Sequence, residues 1–181
     1  MFHKLAVEKG LIEEAVPKKK NAVRDYLRRE GNEEQFTLLQ GEVYGLRIIE
    51  AEPAEGMLNA VKELHQKGIQ TVLISHKTKK PYKGPSYDLR QAAWEWLNKY
   101  GFFDKDGIGW DEDKVFFADS KDIKVEMIKK LGCTHYVDDL PEILDMIPKE
   151  VDRILYNPEE KETTFKSLTN WRFAYSMITA K

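Results

Sequence analysis

Cysteine occurs once, at Cys133, so no internal disulfide can form, which favours a reducing compartment. Beside an apolar strand it reads as a small core residue, with thiol reactivity a remote second reading. No apolar run approaches the ~18 residues that cross a bilayer. The opening stretch, residues 1–10, is too charged for a secretory signal. The expected location is therefore cytoplasmic, with no membrane partner. Charge of one sign is also lacking: 29 Lys and Arg against 31 Asp and Glu leave a net −2. That balance speaks against nucleic acid as a partner. Internal repeats and low-complexity tracts are absent.

What is present is an ordinary globular balance, 41% hydrophobic and 33% charged, which excludes a disordered chain. The length of 181 residues suits one domain, with a small appendage at most. Residues 1–50 carry three helical stripes: Phe2, Leu5 and Ala6; Ala22, Val23, Tyr26 and Leu27; then Phe36, Leu39, Val43 and Leu46. Lys18, Lys19, Lys20, Arg24, Arg28 and Arg29 crowd the same region and read as a solvated helical face. This segment is taken as a helical cap-like unit, and residues 51–181 as an α/β core forming one structural unit with it.

After Pro53 the rhythm changes. Met57, Leu58, Val61 and Leu64 make an amphipathic helix that Gly68 can end. Residues 69–74 are short, β-branched and nearly all apolar, as a strand covered on both faces reads. Downstream, a helix over 88–100 precedes a strand at 114–117. A second helix, with Ile123, Met127, Ile128 and Leu131, precedes a strand at 134–137. A third, over 141–147, precedes a last strand at 153–156. Strands alternating with helices predict a mainly parallel sheet with helices on both faces, a Rossmann-like α/β fold. In such folds the functional loops lie at the C-terminal strand ends.

That edge collects polar chemistry. Ser75 ends one strand, Lys121 and Lys124 open a helix, and Asp138 and Asp139 end another strand. A hydroxyl and an ammonium can hold phosphate oxygens, while paired carboxylates suit Mg²⁺, a hard cation that takes oxygen ligands. His76 adjoins Ser75 and reads either as a substrate contact or as a rim residue. The loop 77–83 carries Lys77, Lys79, Lys80 and Lys83 around Pro81 and Tyr82, either to receive an anion or simply as a solvated loop. His3, His65 and His135 lack metal-ligand spacing. The tryptophans form no stacking platform, since Trp94 and Trp96 cannot share a helical face.

The ordered set resembles the haloacid dehalogenase-like hydrolase superfamily, over roughly residues 1–157. Leu73-Ile74-Ser75-His76 resembles its second motif. Lys124, with Lys121 as the alternative, resembles the third-motif lysine. Tyr136-Val137-Asp138-Asp139 resembles the fourth. Ser75-His76-Lys77-Thr78, Gly84-Pro85-Ser86-Tyr87-Asp88-Leu89 and Asp138-Asp139-Leu140-Pro141-Glu142 look like a little-characterised bacterial subfamily. The resemblance implies a Mg²⁺-dependent phosphomonoester phosphatase acting on a small phosphorylated metabolite. It makes Ser75 and Lys124 (or Lys121) the catalytic and phosphate-binding groups, places His76 and Lys77 beside the substrate, and gives the metal to Asp138 and Asp139.

One motif is not there. The superfamily's nucleophile lies in Asp-x-Asp at the end of a first, central strand, and no Asp-x-Asp follows an apolar run before residue 70. Asp111-Glu112-Asp113 has the spacing but follows the second motif and sits in a loop. The expectation is that the central strand is absent from residues 1–181 and that the chain alone lacks turnover. The strands ending at Ser75 and Asp138 are then expected either to stand apart or to pair with each other. The alternative is a catalytically inactive phosphate-binding or regulatory module. Oligomeric state cannot be read from the sequence.

Overall fold

The computed structural model describes residues 1–180. In chain order its helices are α1 (Phe2–Glu8), α2 (Lys20–Arg29), α3 (Glu33–Glu42), α4 (Met57–Gln66), α5 (Leu89–Lys99), α6 (Lys121–Lys130), α7 (Pro141–Met146) and α8 (Ala174–Thr179). Its strands are β1 (Leu73–His76), β2 (Val115–Ala118), β3 (His135–Asp138), β4 (Asp152–Tyr156) and β5 (Lys166–Leu168). The chain is α/β, with two small sheets that are parallel throughout. No helix among the described residues is long and apolar enough to cross a membrane.

The chain divides into two compact units. The first joins Met1–Glu52 to Thr78–Lys99 and contains only helices and turns. Its core is the apolar stripe of each helix: Phe2, Leu5 and Ala6 from α1, Val23 and Leu27 from α2, Phe36 and Leu39 from α3. Phe2 stacks on Phe36 at 5.7 Å between ring centroids and meets Tyr44 edge-on at 5.6 Å. Beyond α3 the chain tightens into a π turn, Val43–Arg47, and a 3₁₀ turn, Ile48–Glu50. Two long side chains of α5 tie it to this region: Trp96 Nε1 donates to the Ala51 carbonyl at 2.8 Å, and Lys99 Nζ to that of Ile49 at 2.7 Å. Gly45 permits the close approach of residue 87, since a Cβ at that position would collide with the Tyr87 side chain.

The second unit joins Pro53–Lys77 to the chain from Tyr100 onward and holds every strand. Its layers follow from side-chain alternation along the strands. One face gathers Ile74 of β1 with Leu155 of β4, Val125 and Ile128 of α6, and Ile143 and Leu144 of α7; Phe116 of β2 and Tyr136 of β3 pack against it. On the other face Ile154, Leu168 and half-buried Val137 meet Ala60 of α4 and Ala174 of α8. Helices thus cover both faces.

Strand bounds shift by a residue at several ends, and the largest departure from the sequence reading is at the start of β1. Residues 69–72 were expected to be strand, yet β1 begins at Leu73. The partner decides: β2 starts at Val115, opposite Leu73, because a 3₁₀ turn occupies Glu112–Lys114. Residues 69–72 have no ladder to join, and Thr71 Oγ1 instead accepts the Trp110 indole N–H at 2.9 Å. The 153–156 strand was taken as the last, but β5 follows it and pairs with β4 in parallel.

Candidate active site

Three short strands end at one edge, and their geometry shows which. Ser120 caps α6, its hydroxyl accepting the Ile123 N–H at 3.2 Å, so only two residues separate β2 from the helix. Lys124, in the first turn, is thereby held near the end of β2. Its ammonium donates to Asp138 Oδ2 at 2.6 Å, and Asp138 is the last residue of β3. The C-terminal ends of β2 and β3 therefore lie together. β1, parallel to β2, ends there too.

The two adjacent aspartates have opposite fates. Asp138 is only 8% exposed and Lys124 only 7%, so this is a buried ion pair. The second Asp138 oxygen, Oδ1, accepts the Leu140 N–H at 3.0 Å, the turn bond short acidic side chains make to backbone two residues on. Asp139, next along the chain, is exposed. Pro141 then opens α7 at a position that needs no N–H, which explains why the strand stops there. Adjacent carboxylates tolerate each other because one is neutralised inside and the other is solvated.

The two candidate lysines also separate. Lys124 faces Asp138, whereas Lys121 pairs with Glu142 at 2.7 Å, with side chains 40% and 59% exposed. The lysine that meets the carboxylate at the strand end is Lys124. Ser75 is half-buried at the end of β1 and His76 is exposed; among the described residues no hydrogen bond joins either to the Lys124–Asp138 pair. Lys77 is half-buried, and burial lowers its amine below the ordinary lysine value.

Tyr136 is the contributor that sequence reading passed over. It was read only as a strand residue within Tyr136-Val137-Asp138-Asp139, yet its hydroxyl donates to the Ile74 carbonyl of β1 at 2.8 Å. Its ring also lies 5.5 Å from the Lys124 ammonium. Burial first, and then the neighbouring Asp138 carboxylate and Cys133, raise the phenol far above its usual range and keep it protonated. No local signal in the sequence marks this role, because it depends on a strand 62 positions away.

The donors suit a hard cation in kind. Mg²⁺ is held by one or two carboxylates plus phosphate oxygens and retained waters, and Asp138 and Asp139 are the adjacent carboxylates at the end of β3. No group of three or more His, Cys, Asp or Glu among the described residues could hold a metal by itself. Comparison of the chain with family models, curated proteins and solved structures finds no match.

Proposed function

We propose that this chain carries the phosphate- and metal-binding part of a haloacid dehalogenase-like, Mg²⁺-dependent phosphatase for a small phosphorylated metabolite. The single observation behind the reading is the buried Lys124–Asp138 pair at the C-terminal edge of parallel strands. Burying two charges costs several kcal/mol, which an apolar pair would avoid, so such a pair at a functional edge suggests a use. An ammonium has three N–H groups, and with one on Asp138 two remain for phosphate oxygens. Ser75 would add a hydroxyl, and His76 and Lys77 would border the substrate. Asp138, with Asp139, would hold Mg²⁺, which when bound neutralises phosphate charge. Nucleic acid has no part in this reading.

Residues 1–181 contain no strand-end Asp-x-Asp to attack phosphorus, so the chain alone is expected to bind phosphate without turning it over. Calorimetry with inorganic phosphate tests this. Binding should require Mg²⁺ and weaken at least about tenfold in Asp138→Asn, with a smaller loss in Asp139→Asn; one charge-assisted contact accounts for that much. Phosphate affinity indifferent to Mg²⁺ and to both substitutions would refute the assignment.

A further inference from the structure

Two ion pairs join the start of α6 to the corner between β3 and α7. The inner pair is Lys124–Asp138 at 2.6 Å, buried on both sides. The outer pair is Lys121–Glu142 at 2.7 Å, exposed on both sides. Lys121 is the first residue of α6 and precedes Lys124 by three, so the two are neighbours on one helical face, ~5–6 Å apart at Cβ. Their partners follow the same order: Asp138 ends β3, and Glu142 is the second residue of α7. The pairs form two rungs at one corner of the strand edge, the inner dry and the outer wet. The proposed phosphate site uses the inner rung and leaves the outer one without a task. The rungs also differ in how readily they open. Removing a partner from a buried pair strands a charge and is costly. An exposed pair is worth about a fivefold change in an equilibrium at most, so another anion can replace Glu142 with little loss. Lys121 is thus an exchangeable ammonium one helical turn from the ammonium assigned to phosphate.

We propose that the outer rung is a specificity site: Lys121 takes a carboxylate of the same small molecule whose phosphate lies on Lys124, and Glu142 gives way to it. This deepens the phosphatase reading and rests on it. The substrate narrows to a phosphorylated carboxylic acid whose two anionic groups stand about one helical turn apart, ~5 Å. The choice of carboxylate follows from the present partner, since Lys121 already holds one at 2.7 Å. A second phosphate fits less well, because its extra charge meets Glu142 and the exposed Asp139. Lys121 acts on the remote end of the substrate and leaves phosphorus to Lys124.

The test is calorimetry on the full chain with Mg²⁺ at fixed ionic strength, using non-hydrolysable probes of matched length. Phosphonopropionate carries a phosphonate and a carboxylate at the ends of a two-carbon spacer. Propylphosphonate ends in a methyl group instead, and aminoethylphosphonate in an ammonium. Phosphonopropionate should bind about fivefold tighter than propylphosphonate, one exposed ion pair's worth. Lys121→Gln should erase that preference, and Glu142→Gln, which removes the competing carboxylate, should widen it about threefold. An equal loss of both probes in Lys121→Gln would make Lys121 a general attractor of anions and overturn the inference. So would a preference unchanged in Glu142→Gln, or tightest binding by aminoethylphosphonate, which would give the rung to Glu142. The two readings fail differently. Wild type that binds inorganic phosphate and propylphosphonate but shows no preference refutes this inference alone, whereas wild type that binds no phosphate refutes both.

Discussion

β4 and β1 are short parallel strands of the same α/β unit, yet they live in different surroundings. β4 has ladders on both sides, to β3 and β5, and its Ile154 and Leu155 are 1% and 6% exposed. β1 has a ladder on one side, and Leu73 and Ser75 beside its buried Ile74 are only half-covered. The polar groups of the candidate site, Ser75, His76, Asp138 and Asp139, all lie on or next to β1 and β3, two of the four strands with a ladder on one side only. β4 supplies none of them. The difference teaches that stability and chemistry are divided within one layer: the doubly paired β4 anchors the core, and the singly paired β1 and β3 carry groups that need access.

The largest effect should come from the charge buried at the open side. Lys124→Met strands the Asp138 carboxylate in the interior and should cost about 3–5 kcal/mol by urea denaturation. Adding Asp138→Leu should return most of that loss, because a well-packed apolar pair replaces a buried ion pair at little cost. A double variant no more stable than Lys124→Met would mean that the pair holds the edge together, and the division of labour would fail.

A smaller effect reports on the hydrogen bond from Tyr136 of β3 to Ile74 of β1. Burial raises the Tyr136 phenol above its ordinary value of 10 in the folded chain. Its contribution is therefore complete below pH 10 and is lost as pH climbs toward the folded value, by up to ~1.4 kcal/mol per pH unit. The wild-type denaturation midpoint should fall more steeply above pH 10 than that of Tyr136→Phe. Matching slopes would place the hydroxyl in water rather than on Ile74. The smallest effect belongs to Lys121→Ala, which removes an exposed pair with Glu142 and should cost under ~1 kcal/mol.

The order of helices and strands was legible because it is local. Apolar spacing marked α4, α5 and α6, and the β-branched stretch near Ile74 marked a buried strand. Pairing is not local, and there the reading faltered. Whether 69–72 joins a ladder depends on where β2 begins, some forty residues on, and β5 is three residues long with no periodicity to reveal it. The site was half legible. The residue types at the strand ends were visible, but Lys121 and Lys124 share one helical face, and only the fold sets Lys124 on Asp138. Tyr136 was given no role of its own because its partner is a backbone carbonyl, which no side-chain pattern announces. Cys133 reads the same in both: it packs beside the core, and burial pushes its thiol up, away from reactivity.

Amide exchange resolved residue by residue, on the full chain, tests the contrast between β4 and the unpaired sides of β1 and β3 most directly. Ile74, His76, His135 and Val137 should exchange at least about a hundredfold faster than Ile154 and Leu155, whose N–H groups lie inside a doubly paired ladder. Equal protection across all six would show that β1 and β3 already have a partner on their second side, and would contradict the account.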